Sequence, residues 1–137
     1  MKKHNNINWI IAVTAVLLLI TAPIAYSEHT HNLEVSRLFI SESMLGREPV
    51  GATKVFSYDL EKVYCFLEAR DITRDTVITF AWYYGEKEVL NISLPVRKGA
   101  RWRTYSSKKL AGLKGDWMVV IRDSNKTVLG KVKFIVE

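Results

Sequence analysis

The residues best suited to binding lie in the stretch A-R-W-R-T-Y-S-S-K-K-L, residues 100–110, where cations alternate with aromatic and hydroxyl side chains. No acidic residue occurs between Arg97 and Lys114. Such a stretch attracts anionic partners: an acidic protein surface, an acidic glycan or lipid head groups. The predicted binding residues are Arg97, Lys98, Arg101, Arg103, Tyr105, Lys108 and Lys109. A solvated strand face that pairs with acidic residues elsewhere in the chain explains the pattern equally well, and the sequence leaves both interpretations open.

Charge is distributed unevenly along the chain, whose formal net charge is +6. Residues 28–94 contain seven Lys or Arg against eleven Asp or Glu, a net charge of −4. Residues 95–137 contain eleven against three, a net charge of +8. This asymmetry favours docking in a defined orientation on a charged partner.

Residue types that carry out catalysis are scarce in the body of the sequence. All three histidines, His4, His29 and His31, lie near the N-terminus, so no Ser-His-Asp or Cys-His site is expected in the folded body. His29 and His31 could hold copper or zinc together with an α-amino group, but two nearby histidines in a tail are usually incidental. The stretch S-S-K-K matches the serine-lysine signature S-x-x-K without its companion motifs. We therefore predict no catalytic residues, no metal, no cofactor and a protein that is not an enzyme.

The N-terminal segment has the pattern of a secretory signal. Two lysines precede an apolar run over residues 7–24, and the small residues Ala25 and Ser27 follow at the positions that a signal peptidase recognises. We predict an N-terminal signal helix, a signal peptide at residues 1–27 and an exported protein of the periplasm or cell envelope, a location that removes nucleic acid as a partner. The alternative is an uncleaved anchor over residues 7–26, which would be the protein's only contact with a membrane.

Strand patterns dominate the rest of the chain. Short runs rich in Val, Ile, Tyr, Phe and Trp are separated by Gly, Asp, Asn and Pro, a pattern typical of an all-β protein, here an antiparallel β-sandwich of immunoglobulin-like build with seven or eight strands. The predicted strands are Leu33–Ser43, Lys54–Ser57, Lys62–Ala69, Thr76–Tyr84, Glu88–Leu94, Arg101–Ser107, Trp117–Arg122 and Thr127–Val136. Tight turns are predicted at Gly85-Glu86 and at residues 123–126, and an irregular connection at residues 46–53.

The predicted division of the chain follows from these patterns. Residues 1–27 form the signal or anchor, residues 28–45 the N-terminal tail and first strand, and residues 46–137 the β-sandwich domain. Cys65 is the only cysteine, so no intramolecular disulfide can form and packing must supply the stability. Within V-Y-C-F-L, Cys65 is expected to be a small buried hydrophobe.

Alternation along the strands assigns the aromatic residues. Successive side chains of a strand point to opposite faces, so Arg101, Arg103 and Tyr105 are expected together on an outer face. The tryptophans predicted in the core are Trp82, Trp102 and Trp117. An exposed strip of Tyr83, Tyr84 and Tyr105, suited to stacking on sugars, is the alternative use of the aromatic residues.

Five stretches carry a resemblance to a known family: R-E-P-V-G at residues 47–51, A-W-Y-Y-G at 81–85, R-W-R-T-Y-S-S-K at 101–108, G-D-W-M-V-V at 115–120, and the closing V-L-G-K-V-K-F-I-V. On these motifs the chain, from about residue 46 to its end, resembles the bacterial domain-of-unknown-function family 2914, small β-rich domains of the cell envelope. The resemblance implies a compact β domain and carries over neither an activity nor catalytic residues.

Together these observations predict a non-enzymatic exported module that docks on another envelope protein or complex through its basic strand and loop face. Arg101, Arg103, Lys108 and Lys109 would steer the partner, and Tyr105 would anchor it. The alternative is a module that binds glycans or anionic surfaces, such as cell-wall or lipopolysaccharide sugars.

Overall fold

The computed structural model describes residues 31–137. Nine β-strands form its regular structure, and the described residues contain no helix that could cross a membrane. The strands are β1 (Glu34–Leu45), β2 (Glu48–Ala52), β3 (Val55–Phe56), β4 (Lys62–Ile72), β5 (Thr76–Tyr84), β6 (Lys87–Val96), β7 (Gly99–Lys109), β8 (Gly115–Arg122) and β9 (Val128–Val136). The predicted signal at residues 1–27 lies outside the described residues.

The strands form two sheets that share one core, which confirms the predicted all-β sandwich. The four-stranded sheet has the order β2-β1-β4-β7, and the five-stranded sheet has the order β3-β9-β8-β5-β6. Both sheets contribute buried apolar side chains to the core between them. Strands β7 and β6 are therefore edge strands of different sheets, joined by a short turn.

Both predicted hairpin turns are present. Gly85-Glu86 joins β5 to β6, and Gly85 has a φ of +57°, a conformation that glycine adopts without steric cost. Residues 123–126 join β8 to β9, where the carboxylate of Asp123 accepts hydrogen bonds from the backbone N–H groups of Asn125 and Thr127 at 2.9 and 2.8 Å. In both cases the residue type at the turn accounts for its geometry.

The prediction of an irregular connection at residues 46–53 is wrong, because β2 lies within it and pairs antiparallel with the end of β1. Pro49 and Gly51 are residue types depleted in strands. Since β2 is an edge strand, however, the missing N–H of proline is tolerated there. The boundary predicted between residues 45 and 46 falls in the turn of this β1–β2 hairpin. Strand β3 pairs in parallel with β9, so the sandwich is not wholly antiparallel.

Aromatic side chains fill the centre of the core, as predicted for Trp82 and Trp117. Phe134 packs edge-on against Trp82, with ring centroids 6.3 Å apart, and stacks on Trp117 at 5.9 Å. The indole N–H of Trp82 donates to the hydroxyl of Ser106 at 2.8 Å, which links the two sheets. That of Trp117 donates to the carbonyl of Leu113 at 3.1 Å. Both indoles thus bury large areas without leaving their polar atom unpaired.

Trp102 and Cys65 both pack in the core but are buried to different extents. Trp102 packs against the core from edge strand β7 and is only partly buried. Its indole nitrogen is buried and makes no hydrogen bond within residues 31–137. Cys65 is completely buried, as predicted, and burial raises the pKa of its thiol. A thiol in such an environment is inert.

Truncation of Phe134 to alanine should lower the free energy of unfolding by about 3–5 kcal/mol, because it leaves a cavity between the rings of Phe56, Trp82 and Trp117. The next residue, Ile135, is 44% exposed on the outer face of the same strand. Ile135→Ala should therefore cost less than about 1 kcal/mol. Urea unfolding followed by tryptophan fluorescence measures both variants. Equal losses would contradict the central position of Phe134.

Candidate functional site

The outer face of the four-stranded sheet collects arginines from three neighbouring strands. Arg37 of β1, Glu68 of β4 and Arg103 of β7 lie side by side in the register of the sheet. Arg70 and Arg101 are paired in the adjacent row. These side chains alternate with core residues along their strands and so point away from the core. We call this surface, formed by Arg37, Arg70, Arg101 and Arg103 around Glu68, the arginine face.

The β1–β2 hairpin folds back over the arginine face. Pairing between β1 and β4 ends at Ser41, and the two-residue turn of the hairpin lies between Leu45 and Glu48. A straight strand would place Leu45 about 26 Å from Arg37. A carboxylate oxygen of Glu48 nevertheless lies 3.2 Å from Nη2 of Arg37. The chain therefore bends after Ser41 and returns across the sheet, and we call residues 42–51 the flap.

Local side chains and glycines account for this bend. The hydroxyl of Ser41, which is completely buried, donates to the carbonyl of Ser43 at 3.0 Å. At the base of the flap, Gly51 has a φ of +69°, and a Cβ there would approach the carboxylate of Glu42 to 3.1 Å. Only glycine combines that backbone conformation with so little space. The bend of the hairpin thus lies between Ser41 and Gly51, the residues whose hydrogen bond and backbone conformation permit it.

Glu68 lies at the centre of the arginine face and is only 2% exposed. Nη2 of Arg70 lies 3.0 Å from its carboxylate, Nη1 of Arg37 lies 3.6 Å away, and the hydroxyl of Ser36 donates to it at 3.1 Å. Burial raises the pKa of this carboxyl, but the Ser36 hydrogen bond and the charges of Arg70 and Arg101 lower the pKa by more, to below its usual value. Glu68 is therefore ionised at neutral pH and holds guanidinium groups of β1 and β4 in place.

Glu48, near the tip of the flap, binds two arginines of the same face. Its carboxylate accepts hydrogen bonds from Arg37 and from Arg103. The hydrogen bond from Arg37 lowers the pKa of Glu48, an effect that desolvation opposes only in part. The side chains of Glu48, Arg37 and Arg103 are 49%, 36% and 26% exposed, respectively. Ion pairs with this much exposure contribute little to stability.

Aromatic rings alternate with the arginines. Phe66 points outward from β4 yet is completely buried, and the guanidinium of Arg37 lies 4.9 Å from its ring centroid. Phe39 and Tyr105 flank Phe66 in the register and are 42% and 43% exposed. A cavity of about 250 Å³ opens beside these rings, and its lining residues are Arg47, Phe66, Trp102, Arg103, Thr104 and Tyr105. The face therefore presents guanidinium groups and accessible rings next to each other.

The structure divides the seven predicted binding residues among three places. Those on the outer face of β7 are Arg101, Arg103, Tyr105 and Lys109. Arg97 and Lys98 precede β7, and the side chain of Arg97 is 73% exposed, 4.0 Å from Asp75. Lys108 alternates to the opposite side of β7, where its Nζ lies 5.9 Å from the ring centroid of Trp117. The basic residues of β7 thus form a line of charge about 26 Å long, from Arg101 to Lys109 on an edge strand, rather than one cluster.

Four residues of the ion-pair network were not among the predicted binding residues: Arg37, Glu48, Glu68 and Arg70. A signal for two of them was available, since Glu68 and Arg70 alternate with the core residues Leu67 and Ala69 along β4. Alternation within one strand does not reveal which strands lie beside it. The contacts of Arg37 and Glu48 depend on pairing between distant segments and on the bend of the flap.

The three tyrosines predicted as an alternative exposed strip do not share one face. Tyr83 and Tyr84 lie on β5 of the five-stranded sheet, whereas Tyr105 lies on β7 of the other sheet. Tyr84 packs against Trp117, with ring centroids 4.9 Å apart, and its hydroxyl donates to the carbonyl of Lys114 at 2.6 Å. Of the three, only Tyr105 belongs to the arginine face.

Other parts of the described chain contain fewer side chains arranged to bind a ligand or a metal ion. Within residues 31–137, no group of three or more His, Cys, Asp or Glu side chains is arranged to hold a metal ion. His31 lies 3.9 Å from Asp123, and His29 lies outside the described residues. An open groove of about 620 Å³ occurs on the five-stranded sheet, with Val55, Met118, Lys133 and Ile135 among its lining residues. None of the seven predicted binding residues lines that groove.

Residues 75–136 match the family described as "Protein of unknown function (DUF2914)". The resemblance noted in the sequence is confirmed over these residues. The match covers β5 to β9, so the R-E-P-V-G motif at residues 47–51 lies outside it. No curated protein matches the chain.

Several solved structures resemble the sandwich at low sequence identity. A β-glucosidase from Listeria innocua is 11% identical over 77% of this chain and 16% of that enzyme, with a TM-score of 0.49. An immunoglobulin-like protein from Pseudomonas aeruginosa is 13% identical over 77% of this chain and 91% of that protein, with a TM-score of 0.47. This chain therefore spans about one sixth of the length of the glucosidase. Similarities of this degree carry no argument about function.

Replacing Glu68 by glutamine should destabilise the protein at pH 7, because the arginines around it lose their buried counter-charge. The pKa of Glu68 in the folded protein lies below its ordinary value of 4.5. Its stabilising contribution is therefore present above pH 4.5 and is lost as the pH falls through the folded-state pKa. Urea midpoints of wild type and Glu68→Gln should accordingly converge as the pH is lowered below about 4.5. A constant difference between pH 7 and pH 3 would contradict this account.

Proposed function

We propose that this protein is a non-enzymatic, exported module of the cell envelope that binds another protein through the arginine face. The proposal includes an N-terminal export signal and an immunoglobulin-like build for the sandwich. The observation that carries it is the arginine face itself. There, guanidinium groups from three strands surround a buried carboxylate and lie beside exposed aromatic rings.

The residue types of the arginine face, and the contacts that already hold their side chains in place, support binding to a protein partner. Arginine and tyrosine are enriched among the residues that dominate binding energies at protein interfaces. The ring of Tyr105 packs edge-on against Tyr64, with centroids 5.7 Å apart, and stays 43% exposed. Arg37 is held between the ring of Phe66 and two carboxylates. Side chains ordered in advance lose less conformational entropy when a partner binds.

Two features favour binding over catalysis. Cys65 is the only thiol in the sequence, and it is completely buried with a raised pKa, so no thiolate is available to a substrate. Glu68 is central to the face, but it is closed off from solvent and already bonded by Ser36 and Arg70. A carboxylate with a lowered pKa and no access to a substrate proton is a poor general base.

An acidic glycan is the second candidate ligand. Phe39 and Tyr105 provide two accessible rings about 10 Å apart, on either side of Phe66 in one row of side chains and close to the arginines. Binding by ring stacking should change the protein's intrinsic fluorescence and persist at moderate salt, whereas a purely electrostatic contact weakens as ions screen it. A titration with lipopolysaccharide core sugars at two salt concentrations tests this candidate. An unchanged emission spectrum would remove it.

A pull-down from an envelope extract of the host cell tests the protein-binding proposal. The test variant is Arg101→Glu, Lys109→Glu, which reverses two exposed charges on the outer face of β7. The control variant is Lys131→Glu, Lys133→Glu, which makes the same change in charge at two exposed positions of β9. We expect wild type and control to recover the same proteins and the β7 variant to lose them, since reversed charges repel the partner's acidic groups.

The other outcomes of the pull-down also decide the question. Recovery of the same proteins by all three baits would refute docking through β7. Loss of the proteins by both variants would show a response to net charge alone and would likewise refute a specific face. Both variants should give wild-type far-ultraviolet circular dichroism, because all four substituted side chains are exposed.

A further inference from the structure

The flap places one of the protein's own carboxylates on the arginine face. Glu48 reaches from β2 to Arg37 of β1 and to Arg103 of β7, two strands that lie on opposite sides of β4. This contact shows what the two guanidinium groups accept together: a carboxylate carried by an extended segment of chain. The geometry is that of a glutamate side chain delivered by a β-strand.

Several features make this internal contact exchangeable. The Glu48 side chain is 49% exposed, and exposed ion pairs are weak. The flap consists of the end of β1 and most of β2, and β2 is an edge strand. Gly46 in the turn and Gly51 near the base have φ angles of +61° and +69°, so the flap is connected through two conformationally permissive residues.

Displacement of Glu48 would change the face in two ways. Arg37 would keep its 3.6 Å contact with Glu68, whereas Arg103 would lose the carboxylate that it contacts. Phe66, now completely buried beside Arg47 of the flap, would lose part of its cover. A new occupant must therefore supply a carboxylate and an apolar group together. An acidic peptide does so, whereas a phosphate or a lipid head group supplies charge alone.

We propose that Glu48 is an internal competitor for a carboxylate of an acidic peptide segment on the partner protein. The incoming carboxylate displaces Glu48 from Arg37 and Arg103 and lifts the flap, and an apolar side chain next to it covers Phe66. This inference rests on the proposed function. It adds the chemical class of the ligand, an acidic peptide, and a mechanism, competition by Glu48, that lowers the affinity of the protein for that peptide.

The first test measures binding of a fluorescein-labelled peptide of alternating Glu and Leu residues by fluorescence anisotropy. Glu48→Gln should bind this peptide about three- to tenfold more tightly than wild type, the range expected when exposed ion pairs no longer compete. Glu42→Gln is the matched control, because it removes the same charge from the same flap without contacting the two arginines. Equal affinities of the Glu48 and Glu42 variants would overturn the proposal.

Two further measurements distinguish recognition of a carboxylate by Arg37 and Arg103 from a general effect of charge. In Glu48→Gln, Arg103→Gln the gain in affinity should disappear, since one of the two guanidinium groups is gone. A peptide with Gln in place of Glu should bind none of the variants. If inorganic phosphate displaces the acidic peptide as effectively as unlabelled peptide does, the site accepts charge alone and the peptide assignment is wrong.

Hydrogen exchange of the wild-type protein tests the movement of the flap directly. Saturation with the acidic peptide should increase exchange in residues 42–51 and leave β4 and β7 protected. Unchanged exchange in the flap would overturn the displacement mechanism. That result is distinguishable from failure of the proposed function, because the envelope pull-down would still show a partner that depends on Arg101 and Lys109.

Discussion

The burial of one carboxylate determines how the four-stranded sheet is arranged. Glu68 is 2% exposed on β4, between β1 and β7, and a charge buried to that extent is strongly destabilising unless it is paired and hydrogen-bonded. Its partners come from β1, through Ser36 and Arg37, and from its own strand, through Arg70. A slip of one residue in the pairing of β1 with β4 would turn Arg37 toward the core. Pairing of the charge and burial of the apolar side chains thus require the same register.

Arginine is suited to this face in a way that lysine is not. The planar guanidinium of Arg37 lies over Phe66 while its N–H groups reach carboxylates on two sides, Glu48 and Glu68. An ammonium group lacks the flat surface and the fixed fork of donors needed for both contacts. On the outer face of the five-stranded sheet, Lys131 and Lys133 are simply exposed. The two faces of the sandwich therefore differ in the organisation of their charge as well as in its amount.

The sequence allowed prediction of what depends on single strands. The alternation in D-W-M-V-V-I-R predicts that Trp117 is buried, and the residue types at Gly85-Glu86 predict a turn; the structure has both. The sequence did not allow prediction of what depends on neighbours. The acid that pairs with Arg103, Glu48, is 55 residues away along the chain. Their contact further requires a hairpin containing Pro49 and Gly51, which propensity assigns to a loop.

The fold and the candidate site rest on different parts of the sequence. The rings at the centre of the core, Trp82, Trp117 and Phe134, all lie within residues 75–136, the part that matches the family. Four charged groups of the site lie before it: Arg37, Glu48, Glu68 and Arg70. Arg103 of the matched part contacts Glu48, and the pairing of β7 with β4 places Arg103 beside Glu68, so the two parts form one surface. Since exposed ion pairs contribute little to stability, the exposed charges of this face can vary while the core and the buried Glu68 persist. A function carried by the arginine face is therefore a property of the β1, β2 and β4 segments as much as of the matched domain.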